Sequence, residues 1–357
     1  MHILLLSRYS QLGASTRLRF LQYIPYLTTV GLCVDHQALL NDKYLYDLYS
    51  NNSIKKYILP AYFYRLIHLL KLSRYKLIWI EKELFPYFPA IFERFLHHLK
   101  IPYVVDFDDA IFHMYDQNQN HFVRFLFGKK IDFVMKCSTV VVAGNNYLAD
   151  QAVRAGSSNV VLIPTVVDFD RYRDVYRNRS IEETTIKVGW IGIPKTIHYL
   201  LELAPLFKTL QSRFKLEFVA IGANPTDVSN SVIHALPWSE ASEVELLSQL
   251  DIGLMPLPNG LWERGKCGYK LIQYMACGKA VIASPVGVNN EIVSHGVNGL
   301  LASGLDQWQN ALEQLILDVD LRKRLGNAAR TTVEEKYTLQ VQAPLLLEVL
   351  KSASEIK

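Results

Sequence analysis

The chain has 357 residues, half of them apolar, which is enough for two domains that each bury a core. Its formal net charge is only +4, which argues against a nucleic-acid binder driven by counterion release. The four cysteines show no CxxC and no metal-ligand spacing, so they read as reduced thiols of a cytoplasmic protein.

The opening MHILLLSRYS holds an apolar run too short for a signal peptide, and no uninterrupted apolar stretch is long enough to span a bilayer. Residues 1–100 carry 13 Lys and Arg against 6 Asp and Glu, so the basic excess is N-terminal. His2 to Ser7 reads as a buried parallel strand. A loop containing Gly13 follows, and the pattern predicts one helix from about Ser15 to Leu27, with Arg17 and Arg19 in its first turns. That unit suits a Rossmann-like half, although GxGxxG is absent. Lys55 to Lys76 mixes Lys and Arg with Tyr, Phe, Leu and Ile. Such a stretch fits either an anionic lipid surface or a helix packed on the sheet with a solvated basic face.

Leu77 to Ile80 is a strand, with Glu81, Lys82 and Glu83 at the end where sites in open α/β sheets sit. A helix over Ile91 to Leu99 precedes the strand Tyr103 to Val105, which runs into Asp106-Phe107-Asp108-Asp109. Asp108 and Asp109 are candidates for a base or for acceptor binding, and either would also serve as a helix N-cap. A metal is disfavoured, because divalent ions want several oxygen ligands. Thr139 to Ala143 and Val160 to Ile163 are strands flanking a helix from Tyr147 to Ala155, and Asp168 to Thr184 reads as a linker.

The second half opens with the strand Ile186 to Gly192, then Ile193-Pro194-Lys195-Thr196 and a helix expected from Ile197 to Arg213. Strands follow at Leu216 to Gly222, Val232 to Leu236 and Ile252 to Leu257. Trp238, just after a strand, suits stacking on a base or is a half-buried aromatic. From Trp262 to Gly287 the chain reads as a glycine loop, a helix and a buried strand. Gly265 and Gly268 open it, and Lys266, Lys270 and Gln273 are spaced to share one helical face. Glycines before a helix allow close approach, and the helix start offers N–H groups and partial positive charge. With two lysines added, that suits a diphosphate. A short helix at Asn289, an edge strand over Gly299 to Ala302, and helices over Leu305 to Leu317, Leu321 to Thr332 and Leu339 to Lys357 complete the chain.

The segment KLIQYMACGKAVIASPVGVNNEIVSHGVNGLLA, starting at Lys270, resembles the donor-site segment of family-four (group 1) glycosyltransferases of the GT-B fold, bacterial surface-polysaccharide type. Those enzymes read Glu, seven residues, Glu, then a helix ending Met-Ala-Cys-Gly. Here that ending is Met275 to Gly278, Gln273 takes the second glutamate position and Gly265 the first. The resemblance implies an α/β fold of two Rossmann-like domains, each a parallel sheet with helices on both faces, facing across a cleft. Residues 1–168 would form the acceptor side, 169–184 the linker and 185–335 the nucleotide-sugar domain, with 336–357 crossing back as a helix.

By the same resemblance, Lys270 would be catalytic. The Gly268–Tyr269 backbone and Lys266 would hold the diphosphate, and Gln273 a ribose hydroxyl. The stretch GWIGIPKT, which holds the donor-site candidates Gly192 and Lys195, falls where many members carry a Gly-Arg and a downstream Lys that holds the donor diphosphate; Trp190 replaces that Arg and Lys195 falls near the Lys. Trp238 falls near the base, Gly13 and Arg17 lie on a loop facing the cleft, and the Asp108–Asp109 run would meet the acceptor. The implied activity is hexosyl transfer from a UDP- or GDP-type sugar to a glycan or lipid-linked acceptor in polysaccharide or lipopolysaccharide biosynthesis. It would retain configuration by front-face attack, with no catalytic metal and no permanently bound cofactor. The location would be cytoplasmic, with the inner membrane face as a peripheral surface. Two other readings stay open. The missing glutamates suit a degenerate scaffold subunit, and an epimerase on nucleotide sugars would use the same phosphate site without an acceptor.

Overall fold

Two six-stranded parallel sheets carry the chain, each in its own unit. The computed structural model describes residues 1–50, 52–174 and 185–356. Unit 1 comprises Met1–Val166, Gly265–Cys267 and Leu339–Lys357, and unit 2 comprises Val167–Arg264 and Gly268–Thr338.

In unit 1 the strands are β1 (His2–Tyr9), β2 (Cys33–Leu40), β3 (Leu77–Glu81), β4 (Tyr103–Phe107), β5 (Val140–Ala143) and β6 (Val160–Leu162). They stand in the order β2-β1-β3-β4-β5-β6. The apolar runs read as buried parallel strands are buried: every residue of β3, β4 and β5 is enclosed. On one face Ile3, Leu5, Trp79, Val104 and Val142 pack against Phe20, Tyr23 and Leu27, and against Ala343, Leu346 and Leu350 of the helix Leu339–Glu355. Because β2 lies on one side of β1 and β3 on the other, the winding reverses at β1. That switch point is where open α/β sheets leave a crevice at the strands' C-terminal ends.

Unit 2 repeats the plan with β7 (Ile186–Ile191), β8 (Leu216–Ile221), β9 (Ile233–Leu236), β10 (Ile252–Met255), β11 (Ala280–Ala283) and β12 (Leu300–Leu301). Their order is β12-β11-β10-β7-β8-β9, so the reversal falls at β7. Leu271, Ile272, Tyr274 and Met275 of the helix Tyr269–Ala276 cover one face, against Ile191, Val219, Val281 and Ala283. Phe207 stacks on Phe218 at 4.2 Å within the other cluster.

Several expectations needed correction. The single helix over Ser15 to Leu27 is three pieces: Ala14–Arg19, a 3-10 turn Leu21–Tyr23, and Ile24–Thr29. Pro25, without an N–H, sits in the first turn of the last piece, the one place a helix tolerates it. Pro205 likewise divides the helix expected over Ile197 to Arg213 into His198–Leu201 and Ala204–Gln211. Edge strand β2 was missed, because its half-exposed sequence CVDHQALL lacks an apolar run. Of the expected linker, residues 175–184 lie outside the described residues. Before them Phe169–Tyr172 is a 3-10 turn capped by Asp168.

Candidate active site

At the switch point of unit 1, Glu81 ends β3 with its carboxylate fully enclosed. Its Oε2 accepts from the Arg8 backbone N–H and the Thr16 hydroxyl, both at 2.8 Å, tying the loop after β1 to the end of β3. Lys82 follows with φ of +65°, a left-handed conformation that a non-glycine residue adopts only under constraint. Its Nζ lies 2.7 Å from Asp108 Oδ1 and 3.7 Å from Asp109 Oδ2. It also donates to the Ser15 hydroxyl at 3.2 Å. Burial disfavours the Lys82 ammonium, yet the carboxylates of Asp108, Asp109 and Glu81 outweigh it and hold its pKa above the ordinary value. Burial also raises Asp108, but Lys82 more than compensates and keeps it below the usual range. Asp109 goes the other way: burial and the charge of Asp108 push it up against Lys82 and Lys266. Two neighbouring carboxyls with pKa values driven apart are a recurring mark of acid–base assignment.

One layer beneath, Arg19 makes a bidentate bond to Asp106, Nε to Oδ1 at 2.8 Å and Nη2 to Oδ2 at 3.1 Å, with both side chains 2% exposed. Its Nη1 donates to the Ile163 carbonyl at 2.7 Å. Burial lifts Asp106 to about 6 in spite of that partner. The residues Gly265–Cys267 dock in unit 1 on Asn145, whose Nδ2 donates to the carbonyls of Gly265 at 2.9 Å and Lys266 at 3.0 Å. Gly144 lets Cys267 come this close, since a Cβ there would lie 2.3 Å from its Sγ. The thiol donates to the Asp108 carbonyl at 3.1 Å.

In unit 2 the helix Tyr269–Ala276 starts at Gly268, whose φ is +64°, and no side chain caps it. A Cβ on Gly268 would also meet Ile292 Cδ1 at 2.4 Å, so only glycine fits. The helix start supplies N–H groups and partial positive charge. Lys270 sends its Nζ over the ring of buried Trp190, 4.0 Å from the centroid. At Gly192, just past β7, a Cβ would lie 2.3 Å from the Trp190 ring and 2.7 Å from Lys270 Nζ. Gly222, with φ of +86°, ends β8 beside it, where a Cβ would touch the Gly192 carbonyl oxygen at 2.3 Å and Trp238 Cβ at 3.4 Å. Gly192, Gly222, Trp190, Trp238 and Lys270 thus gather at the C-terminal ends of β7 and β8. The Tyr274 hydroxyl accepts from the Ile191 N–H at 2.8 Å and donates to the Leu254 carbonyl at 3.3 Å. It therefore wedges β7 from β10, which pair only at Val188 and Gly189.

The candidates named from the sequence fare unevenly. Lys270, Gly268, Tyr269 and Gly192 come together in unit 2, while Asp108, Asp109 and Lys266 come together in unit 1. Lys266 is not on the helix, which begins at Tyr269, so the shared face reduces to Lys270 and Gln273. Gln273 is 2% exposed and its Nε2 lacks a hydrogen-bond partner, so in this conformation it is enclosed rather than offered to a ribose. Lys195 is exposed in the 3-10 turn Pro194–Thr196. Trp238 is half-buried, its Nε1 donating to Glu243 Oε2 at 2.8 Å. Arg17 is buried in the helix Ala14–Arg19, with Nη1 donating to the Gln11 carbonyl at 3.2 Å. The space at Gly13 is taken by Tyr9, whose Cβ would lie 2.5 Å from an added Cβ. Asp108 and Asp109 cap no helix, because the next one, His113–Asp116, starts after Phe112. Sequence reasoning assigned nothing to Lys82, Arg19, Asn145 or Tyr274. Only Lys82 carried a signal, its place at a strand's C-terminal end.

Residues 183–318 match the family model of Glycosyl transferases group 1. The chain is 22% identical over 252 residues to an uncharacterized glycosyltransferase, MJ1069, of Methanocaldococcus jannaschii, covering 65% of this chain and 60% of that protein. It is 34% identical over 95 residues to N-acetyl-alpha-D-glucosaminyl L-malate synthase of Bacillus anthracis, 26% of this chain and 24% of that one. The chain thus spans 60% or less of these relatives' lengths. Among solved structures it is similar to Anabaena Alr3699/HepE in complex with UDP-glucose, with TM-score 0.72 and 16% identity over 99% of this chain and 100% of that one. It is also similar to WaaG, a glycosyltransferase involved in lipopolysaccharide biosynthesis, with TM-score 0.69 and 13% identity over 98% and 99%. The fold is GT-B, with two Rossmann-like domains.

Proposed function

We propose that this chain, whose residues 183–318 match the family model of Glycosyl transferases group 1, moves a hexosyl group from a nucleotide-diphosphate sugar to a glycan or lipid-linked acceptor. The observation that carries the reading is the uncapped start of the helix Tyr269–Ala276, with Lys270 Nζ held over Trp190 at the sheet's switch point. Negative charge grows on the diphosphate as the glycosidic bond breaks. Fixed N–H donors and an ammonium there favour the transition state over the ground state. The reaction retains configuration by front-face attack and needs no catalytic metal. Asp108, Asp109 and Lys266 serve the acceptor side. The donor is of the UDP or GDP type. The likeness to a protein solved with UDP-glucose supports a uridine donor.

A thermal-shift screen of UDP- and GDP-sugars tests this. A donor at about 100 times its Kd stabilises the native state by about 2.7 kcal/mol and raises Tm by a few degrees. A flat response across the panel would remove the donor site. Donor binding without transfer to any acceptor favours the scaffold reading, which the loss of both family glutamates keeps open.

We also propose a cytoplasmic protein that rests peripherally on the anionic inner membrane face. No described helix is long and apolar enough to cross a membrane. The helix Lys55–Leu69 exposes Leu59 (80%), Phe63 (62%) and Tyr64 (63%) beside Lys55 and Lys56. Arg65 is not part of that basic face. It turns inward, donating to the carbonyls of Ser7 at 2.5 Å and Gln37 at 3.2 Å. Binding to anionic vesicles should weaken as salt rises. Equal binding to neutral vesicles, or none, would contradict the electrostatic part.

A further inference from the structure

We propose that the Arg8 guanidinium, with the hydroxyls of Tyr9 and Tyr44, forms a phosphate site at the end of β1 that holds a phosphorylated acceptor. Its use by an acceptor rests on the glycosyl-transfer reading, while phosphate binding itself does not. The whole site lies in unit 1. Arg8 and Tyr9 are the last residues of β1, where the winding reverses and an open α/β sheet leaves room for a ligand. Arg8 is half-buried, and its Nε is enclosed without a hydrogen-bond partner. Among the described residues its guanidinium makes no hydrogen bond or ion pair, and it lies over the ring of Tyr9 with Cζ 5.7 Å from the centroid. The carboxylates in its field are engaged elsewhere. Glu83 takes the Lys130 ammonium and, at 2.9 Å, the Tyr115 hydroxyl. Glu81 Oε2 takes the Thr16 hydroxyl and the Arg8 backbone N–H. Donors enclosed without partners lose their water and gain nothing in return, so this arrangement costs stability. A bound oxyanion removes that cost.

Tyr44 comes from the helix Asp42–Tyr49 and stacks on Tyr9, with ring centroids 6.1 Å apart. Its phenol lies in the field of both Tyr9 and Arg8. Neither hydroxyl has a hydrogen-bond partner among the described residues. The three groups are held in place by bonds of their neighbours. Asp42 Oδ1 accepts from the Ser10 hydroxyl at 2.6 Å and the Leu12 N–H at 3.0 Å, tying the loop after β1 to that helix. Arg65 clamps the ends of β1 and β2 through the Ser7 and Gln37 carbonyls. A guanidinium fork and two phenols are all donors. They match the terminal oxygens of a phosphate monoester better than the smaller set of a carboxylate, which the fork alone would satisfy.

The test is calorimetric titration of glucose 6-phosphate, farnesyl phosphate, glucuronate and glucose into wild type, Arg8→Met, Arg8→Lys and Tyr44→Phe, with UDP at saturation so that the proposed donor site is filled. Wild type should bind a phosphate probe at millimolar concentration, glucuronate more weakly and glucose not at all. Arg8→Met should lose about tenfold or more in affinity, and Arg8→Lys and Tyr44→Phe about threefold each, since lysine keeps the charge without the fork. Tighter binding of farnesyl phosphate assigns the site to a lipid-linked acceptor, and tighter binding of glucose 6-phosphate to a phosphorylated sugar. Stability without ligand is the second readout. Arg8→Met should leave Tm unchanged or raise it, because no bond is lost, whereas a solely structural arginine would lower it. Equal affinity in wild type and Arg8→Met overturns the proposal. So does glucose or glucuronate binding as tightly as the phosphates, no phosphate binding by wild type, or an Arg8→Met protein that unfolds or melts several degrees lower. If UDP does not bind, the donor reading falls, and the same titrations without UDP still decide the Arg8 site.

Discussion

Lys270→Ala is expected to lower turnover by about two to three orders of magnitude while leaving the fold intact. The reason lies in what the ammonium touches. Trp190 beneath it is 1% exposed and cannot move, and Gly192 leaves no side chain between β7 and the charge. The cation is therefore fixed beside the helix start, where, on the proposed reading, it would meet a growing negative charge without reorganising. Its contribution to stability is small by comparison, about 0.5–1 kcal/mol for a half-buried cation over an indole. Circular dichroism and Tm should barely change while kcat collapses. Near wild-type transfer by Lys270→Ala would remove the residue from the mechanism.

Arg19→Met is expected to be the more damaging change to stability. It strips the bidentate partner from Asp106 and leaves a carboxyl 2% exposed with no counter-charge, at a cost of about 3–5 kcal/mol. Asp106 already titrates near 6 because burial outweighs Arg19, and removing Arg19 raises it further. A group whose folded-state pKa lies above its unfolded value contributes stability at low pH and loses it as pH rises through the folded value. The deficit of Arg19→Met should therefore be largest above pH 7 and shrink toward pH 5, where the buried carboxyl is neutral. Denaturant melts at the two pH values check this. A deficit that does not depend on pH would mean that lost packing, not charge, carries the cost.

The parallel sheets were readable because their evidence is local. Runs such as Leu77 to Ile80 and Val140 to Ala143 are apolar without alternation, as doubly covered strands must be. Helix breaks at Pro25 and Pro205 were also local, and could have been read from the prolines. The helix start at Gly268 and its lysine were visible in the same way. What stayed hidden depends on distance along the chain. Arg19 meets Asp106 across 87 residues, and Asn145 meets Gly265 across 120. No spacing rule joins such pairs. Lys266 illustrates the reverse error: the i, i+4 count assumed a helix that starts three residues too early. Gln273 matched a family position, yet packing encloses it. A carboxylate that the reading passed over, Glu263, lies two residues before Gly265 and accepts from the Tyr199 hydroxyl at 2.5 Å.

The grip on a diphosphate by the start of the helix Tyr269–Ala276 and Lys270 is tested most directly by calorimetric titration of UDP and GDP into wild type and Lys270→Ala. Wild type should bind one of the two nucleotides at a single site, and the variant at least tenfold more weakly, a loss of about 1.4 kcal/mol. Equal affinity in both proteins, or heat from neither nucleotide with wild type, would contradict it.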